Sequence, residues 1–274
     1  MPDPTDVTAL GRHPDLRLAS NRIAIGGAAV AFAVFAVWFL RTDDGSIVAA
    51  GFAAVSVFLG WAVSRELDPD RPDAATFALV LAFVAVFVDV PSALASGVAL
   101  LAIRLAAGTV GAALRPADFV VLAGLTGIAA ASPSLWVFGA AFAIYAWSAP
   151  EAQAHRLPAR IAVVVGAVVG LGVAAWVTWF GEGFDVEITM EAYVLAAVAG
   201  TAMLLSVRRL EVGSPTDTGA GIVDGERVRL ARVVAGAGLM WAAVFGGVAA
   251  FWALSPVAAA LIVAAVYRVF VHPA

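Results

Sequence analysis

The stretch Ser64–Ala74, SRELDPDRPDA, sets four carboxylates and two arginines between two apolar segments. Glu66, Asp68, Asp70 and Asp73 are hard oxygen ligands, and the DxDxxD spacing suits Mg²⁺, which could in turn hold a phosphorylated headgroup. A divalent cation is therefore the candidate cofactor. The same residues also read as an elbow between two helices. Pro69 and Pro72 break helical backbone, Asp73 suits a helix start, and Arg65 and Arg71 can neutralise their neighbours.

A second candidate is Arg104, in LLAIRLAAG, thirteen residues after Pro91. At 1.5 Å per residue it lies ~20 Å from the turn at Pro91, roughly 10 Å short of the far boundary of a ~30 Å apolar core. An arginine at that depth costs ~2.5–3.5 kcal/mol unless paired, hydrated or snorkelling. As a site it would bind an anionic group, with Thr109, Arg115, Asp68 and Asp70 as its expected company. As structure it marks a helix that ends near Ala106.

The arrangement RELDPD resembles an Arg-Glu-(Leu or Ile)-Asp-Pro-Asp signature of polytopic membrane proteins in archaea and bacteria, including haloarchaeal types. The resemblance spans about ten residues and the region from Arg104 to Asp118. It implies a membrane fold and no particular activity. The longer acidic spacings of prenyltransferases and CDP-alcohol phosphotransferases are not present.

Composition dictates what must position these residues. Of 274 residues 62% are hydrophobic and 13% charged, and the mean hydropathy is +0.96, far above soluble domains. Ten apolar segments emerge: Arg22–Leu40, Ile47–Val63, Ala74–Val90, Ser92–Leu114, Pro116–Ala131, Pro133–Trp147, Arg160–Phe180, Glu191–Val207, Val228–Trp252 and Pro256–Phe270. The fifth, sixth and tenth are short for a full crossing. The expected fold is all-α: a polytopic bundle of about ten transmembrane helices in one domain over 22–274. A polar tail covers 1–21 and a longer loop covers 208–231.

All sixteen basic residues are arginine. With both termini cytoplasmic, every arginine except Arg41 and Arg104 falls in a cytoplasmic segment, as retention of positive charge requires. The opposite loops, RTDDGS, DVPS, SPS and GEGFDVEITME, are acidic or neutral. A cytoplasmic-membrane location follows, with the bilayer and its anionic headgroups as partners and no nucleic acid. The N-terminus lacks the layout of a secretory signal, so the first helix is expected to insert directly.

Several chemistries find no support. Without cysteine there are no thiolate sites. His13, His155 and His272 form no metal-binding spacing, and there is no Walker A sequence. No carboxylate falls well inside an expected span, which disfavours a buried-carboxylate proton relay. Gly166 and Gly170, at GxxxG spacing, fit either packing within the bundle or a dimer face. The loop over 208–232 has linker composition with arginine-rich ends, suiting membrane anchoring. Three roles remain open: a permease for a small anionic solute, a cytoplasmic-face enzyme on a lipid or isoprenoid, and a non-catalytic scaffold.

Overall fold

The computed structural model describes residues 8, 10, 16–42, 46–148, 153–180, 189–208, 211–219 and 221–271. His13, His272 and the acidic loop at 181–188 lie outside them, as does the side chain of His155. The described residues form ten α-helices and no strand beyond one isolated bridge, Pro215 to Ile222. They are α1 (Ala19–Leu40), α2 (Ile47–Leu67), α3 (Pro72–Ala85), α4 (Ala93–Ala107), α5 (Pro116–Ala131), α6 (Trp136–Ser148), α7 (Gln153–Phe180), α8 (Met190–Ser206), α9 (Gly225–Ala253) and α10 (Ser255–Val266).

Ten apolar segments thus give ten helices, although their lengths differ from expectation. Four are long and apolar enough to cross a membrane: 19–40, 47–67, 157–177 and 225–253. α3, expected to reach Val90, ends at Ala85 after 14 residues, a length of ~21 Å. α4, expected to reach Leu114, stops at Ala107 because Gly108 takes the left-handed conformation (φ 67°) that terminates a helix. α9 carries a break at Gly247, whose φ of 72° and ψ of −169° only glycine adopts readily.

α2 is the central helix. It packs against α1, α3, α4, α9 and α10, and its face from Ala50 to Leu67 is largely buried. The outward faces are apolar instead, as at Val120, Val168, Trp176 and Leu204. Exposed Val, Leu and Trp thus cover much of the outside of the bundle.

α7 lies against α5, and the GxxxG glycines explain how. A Cβ on Gly166 would sit 2.1 Å from the carbonyl oxygen of Ala123, and one on Gly170 would sit 2.1 Å from that of Gly127. The two backbones touch where both glycines lie. This spacing serves packing between α5 and α7 inside one chain.

The loop between α8 and α9 departs from its expected flexibility. Residues 214–219 and 221–223 pair as a small hairpin: Thr216 N–H donates to Gly221 C=O (2.8 Å) and Val223 N–H to Ser214 C=O (3.0 Å). The hairpin docks on the α4–α5 connection, with Asp217 N–H donating to Thr109 C=O (3.0 Å) and Thr218 N–H to Val110 C=O (3.3 Å). Backbone pairing, invisible to composition, orders this linker-like sequence.

Candidate functional site

The candidate residues gather at one end of the bundle, where the α2–α3 elbow, the C-terminus of α4, the 211–224 hairpin and the start of α9 meet. α2 runs to Leu67, and the elbow turns tightly: Arg71 N–H donates to Asp68 C=O (3.2 Å), and the Arg65 guanidinium donates to Pro69 C=O (2.9 Å). Pro72 then opens α3 with Asp73 in its first turn, where a carboxylate complements the exposed N–H groups.

The four carboxylates of the elbow diverge. Glu66, fully buried in the last turn of α2, accepts from Arg104 Nε at 2.8 Å and from the Thr109 hydroxyl. Asp68, 2% exposed, faces Arg232 of α9, with Nη2 at 3.7 Å from Oδ2. Asp70 accepts from the backbone N–H groups of Gly213 (3.0 Å) and Ser214 (2.8 Å). Asp73 hydrogen-bonds the Tyr267 hydroxyl. Each has its own partner, and among the described residues no group of three or more acidic or histidine side chains is placed to hold a metal ion.

Two of these carboxylates titrate abnormally, in opposite directions. Burial pushes Asp68 above the usual carboxylate range, although Arg232, Arg268 and Arg71 pull it back; Asp70 adds to the rise. For Asp70 burial acts upward too, but hydrogen bonds from the Ser214 side chain and from the Gly213 and Ser214 amides outweigh it and hold the group below its usual range.

Arg104 is 8% exposed. It sits in the last turn of α4, where a cation complements the helix carbonyls. Besides Glu66 it donates through Nη1 to Leu10 C=O at 2.8 Å. Thr109 joins it through Glu66, as the sequence grouping of 104 with 109 suggests. Its expected carboxylate company was Asp68 and Asp70, and the partner is Glu66 instead. On a helix 104's neighbour must come from another element, and Glu66 is the carboxylate that α2 delivers to α4. Arg115 is not part of this cluster. Its backbone N–H donates to Asp118 Oδ2 (2.7 Å) at the start of α5, and Asp118 also accepts from the Thr8 hydroxyl.

The residue that sequence reasoning missed is Arg227. It donates from Nε to Ala106 C=O (3.1 Å) and from Nη2 to Leu105 C=O (2.7 Å), so it caps α4 across the bundle, and it lies 5.7 Å from the centroid of the Tyr145 ring. A Cβ on Gly108 would sit 2.5 Å from its Cζ. The glycine therefore both ends α4 and admits the guanidinium, a need that only the folded chain reveals.

Arg104 and Arg227 line a common cleft with Leu10, Leu105, Gly108, Gly111 and Tyr145, and no carboxylate contributes to this part of its lining. The cleft continues past Gly108, Gly111 and Arg227 toward Thr216, Val223 and Asp224, where it opens to about 190 Å³. The part lined by both guanidinium groups is small, about 30 Å³, and the wider part keeps Arg227 but adds the Asp224 carboxylate and the Thr216 side chain. Comparison with known protein families, with curated proteins and with solved structures finds no match.

Proposed function

We propose that the chain is a multi-pass membrane protein of the cytoplasmic membrane that binds a small anionic solute at its arginine-rich end and acts as a permease. The observation that carries this reading is the cleft of Arg104 and Arg227, two cations in a lining to which, among the described residues, no carboxylate contributes; Glu66 meets Arg104 from outside that lining. Glu66 fixes the Arg104 side chain rather than filling the cleft, so the guanidinium is pre-positioned and little ordering remains to be done on binding. Arg227 is held by two backbone carbonyls, acceptors that carry no formal charge.

The membrane setting is supported by the four long apolar helices, the apolar outward faces and the retention of arginine at one end. In this reading both termini and the 211–224 hairpin face the cytoplasm, and the shorter helices cross thinly or at a tilt. The break in α9 at Gly247 supports movement, since interrupted helices are a recurrent feature of carriers. The enzyme reading is less well supported, because a metal at the elbow would have to displace Arg104, Arg232 or the hairpin amides from their carboxylates.

The test uses purified protein in lipid nanodiscs with inorganic phosphate, sulfate and acetate as probes. At least one anion should raise the melting temperature in a saturable way, and Arg227→Gln should weaken that effect about tenfold or more. Proteoliposomes should then take up the effective anion. No stabilisation by any of them, or stabilisation that Arg227→Gln leaves intact, would overturn the assignment.

A further inference from the structure

Arg232 sits on α9, wholly buried, where it joins three helices. Its Nε donates to Leu67 C=O at the end of α2 (2.8 Å), and its Nη1 donates to Ser206 C=O at the end of α8. Both acceptors are helix C-terminal carbonyls, which carry partial negative charge and hold a cation without help. The third nitrogen, Nη2, points toward Asp68 but has no hydrogen-bond partner among the described residues, nor has the buried Ser64 hydroxyl one turn back on α2. Its 3.7 Å separation from Asp68 Oδ2 is an ion-pair distance without a hydrogen bond.

Such a pair is unusual in what it leaves unmet. Two desolvated charges attract, but without a direct hydrogen bond the attraction offsets the loss of water poorly. Arg232 has two other anchors, whereas among the described residues Asp68 has besides it only the more distant charges of Arg268 and Arg71, so the carboxylate is the member that can change state. The charged and titratable groups facing it are Arg232 on α9, Arg268 beyond α10, and Arg71 and Asp70 within the elbow.

We propose that Asp68 is a proton-binding site: one proton from the cytoplasmic solution adds to its carboxylate, cancels the ion pair with Arg232 and loosens the elbow residues that follow Leu67, whose own carbonyl Arg232 continues to hold. Arg232 keeps its proton and stays on the two helix C-termini throughout. The step needs no co-reactant. Burial, which raises Asp68 above the usual carboxylate range, brings the uptake closer to neutral pH than an exposed aspartate would allow. The inference does not depend on an anion in the cleft, and the two readings fail in separate experiments.

The cysteine-free chain provides the assay. Pro69→Cys places a thiol in the elbow at a buried position, and Thr218→Cys places one at an exposed position on the hairpin. The labelling rate at 69 divided by that at 218 cancels the pH dependence of the thiol itself. In the parent background this ratio should rise about tenfold between about pH 7.5 and about pH 5. With Asp68→Asn it should be high and flat across the range. A flat ratio in the parent background overturns the proposal, as does a pH dependence that survives Asp68→Asn, which would assign the titration to Glu66 or Asp70. If Asp68→Asn fails to elute as a single species, Asp68→Glu must shift the midpoint of the transition, and an unshifted midpoint overturns the proposal equally.

Discussion

Arg104 and Glu66 stand 38 positions apart in the chain and 2.8 Å apart in the fold. Their side chains are 9% and 0% exposed, so each neutralises a charge that neither helix could bury alone. The Thr109 hydroxyl and the Leu10 carbonyl complete the arrangement. It is the joint between α2 and α4 and the fixed wall of the cleft.

Removing one member should cost more than removing both. Glu66→Ala leaves the Arg104 guanidinium buried and unpaired, a loss of about 3–5 kcal/mol. Combining Glu66→Gln with Arg104→Met removes both charges while keeping the volume, and should recover most of that. Thermal unfolding in nanodiscs reads the difference. A double variant no more stable than Glu66→Ala would mean that the pair contributes net stability.

The α5–α7 contact makes a second case. Gly170→Val forces a branched side chain against the carbonyl of Gly127, and the overpacking should destabilise by about 1–3 kcal/mol. Because the close approach is within one chain, the oligomeric state should be unchanged in light scattering. Dissociation of an oligomer by this variant would assign the glycines to a face between copies.

Asp70 latches the hairpin through the amides of Gly213 and Ser214. Its carboxyl is held below the ordinary range in the folded state, so the contribution is present above the unfolded value and lost as pH falls through the folded one. Stability of the hairpin should therefore be constant near neutrality and fall only below the ordinary aspartate range. Asp70→Ala should speed hydrogen exchange at Gly213 and Ser214 about tenfold at neutral pH. Unchanged exchange would show that the Thr109 and Val110 carbonyls hold the hairpin unaided.

What was legible in the sequence is the set of helices, because each depends on a local apolar run and its turn residues. Pro116 marks a boundary that the fold obeys and α3 opens at Pro72, two residues before the expected start, whereas the expected fourth segment ran past Gly108, where α4 stops. The importance of Arg104 was legible too, since an arginine in an apolar helix demands an account wherever it lies. Its partner was not, because Glu66 belongs to another helix and the charge-rich elbow offered four carboxylates of equal merit. Arg227 gave no signal at all: its acceptors, Leu105 and Ala106, offer only backbone carbonyls. The hairpin was concealed for the same reason, since main-chain pairing with residues 109 and 110 leaves no trace in side-chain composition.

Orientation follows from charge and is open to direct measurement. Ser46 caps α2 at the end opposite Arg65, where its hydroxyl accepts from Ala49 N–H (3.2 Å), whereas Thr218 lies on the hairpin beside the cleft. Retention of arginine on the cytoplasmic side puts a cysteine at 218 inside and one at 46 outside. A membrane-impermeant thiol reagent should therefore label Ser46→Cys in right-side-out vesicles and Thr218→Cys only in inverted ones. The reverse pattern would turn the anion cleft outward and make the solute arrive from outside the cell. Labelling of both positions from one side would mean that an even number of the seven intervening helices crosses, so that at least one of them lies along the surface.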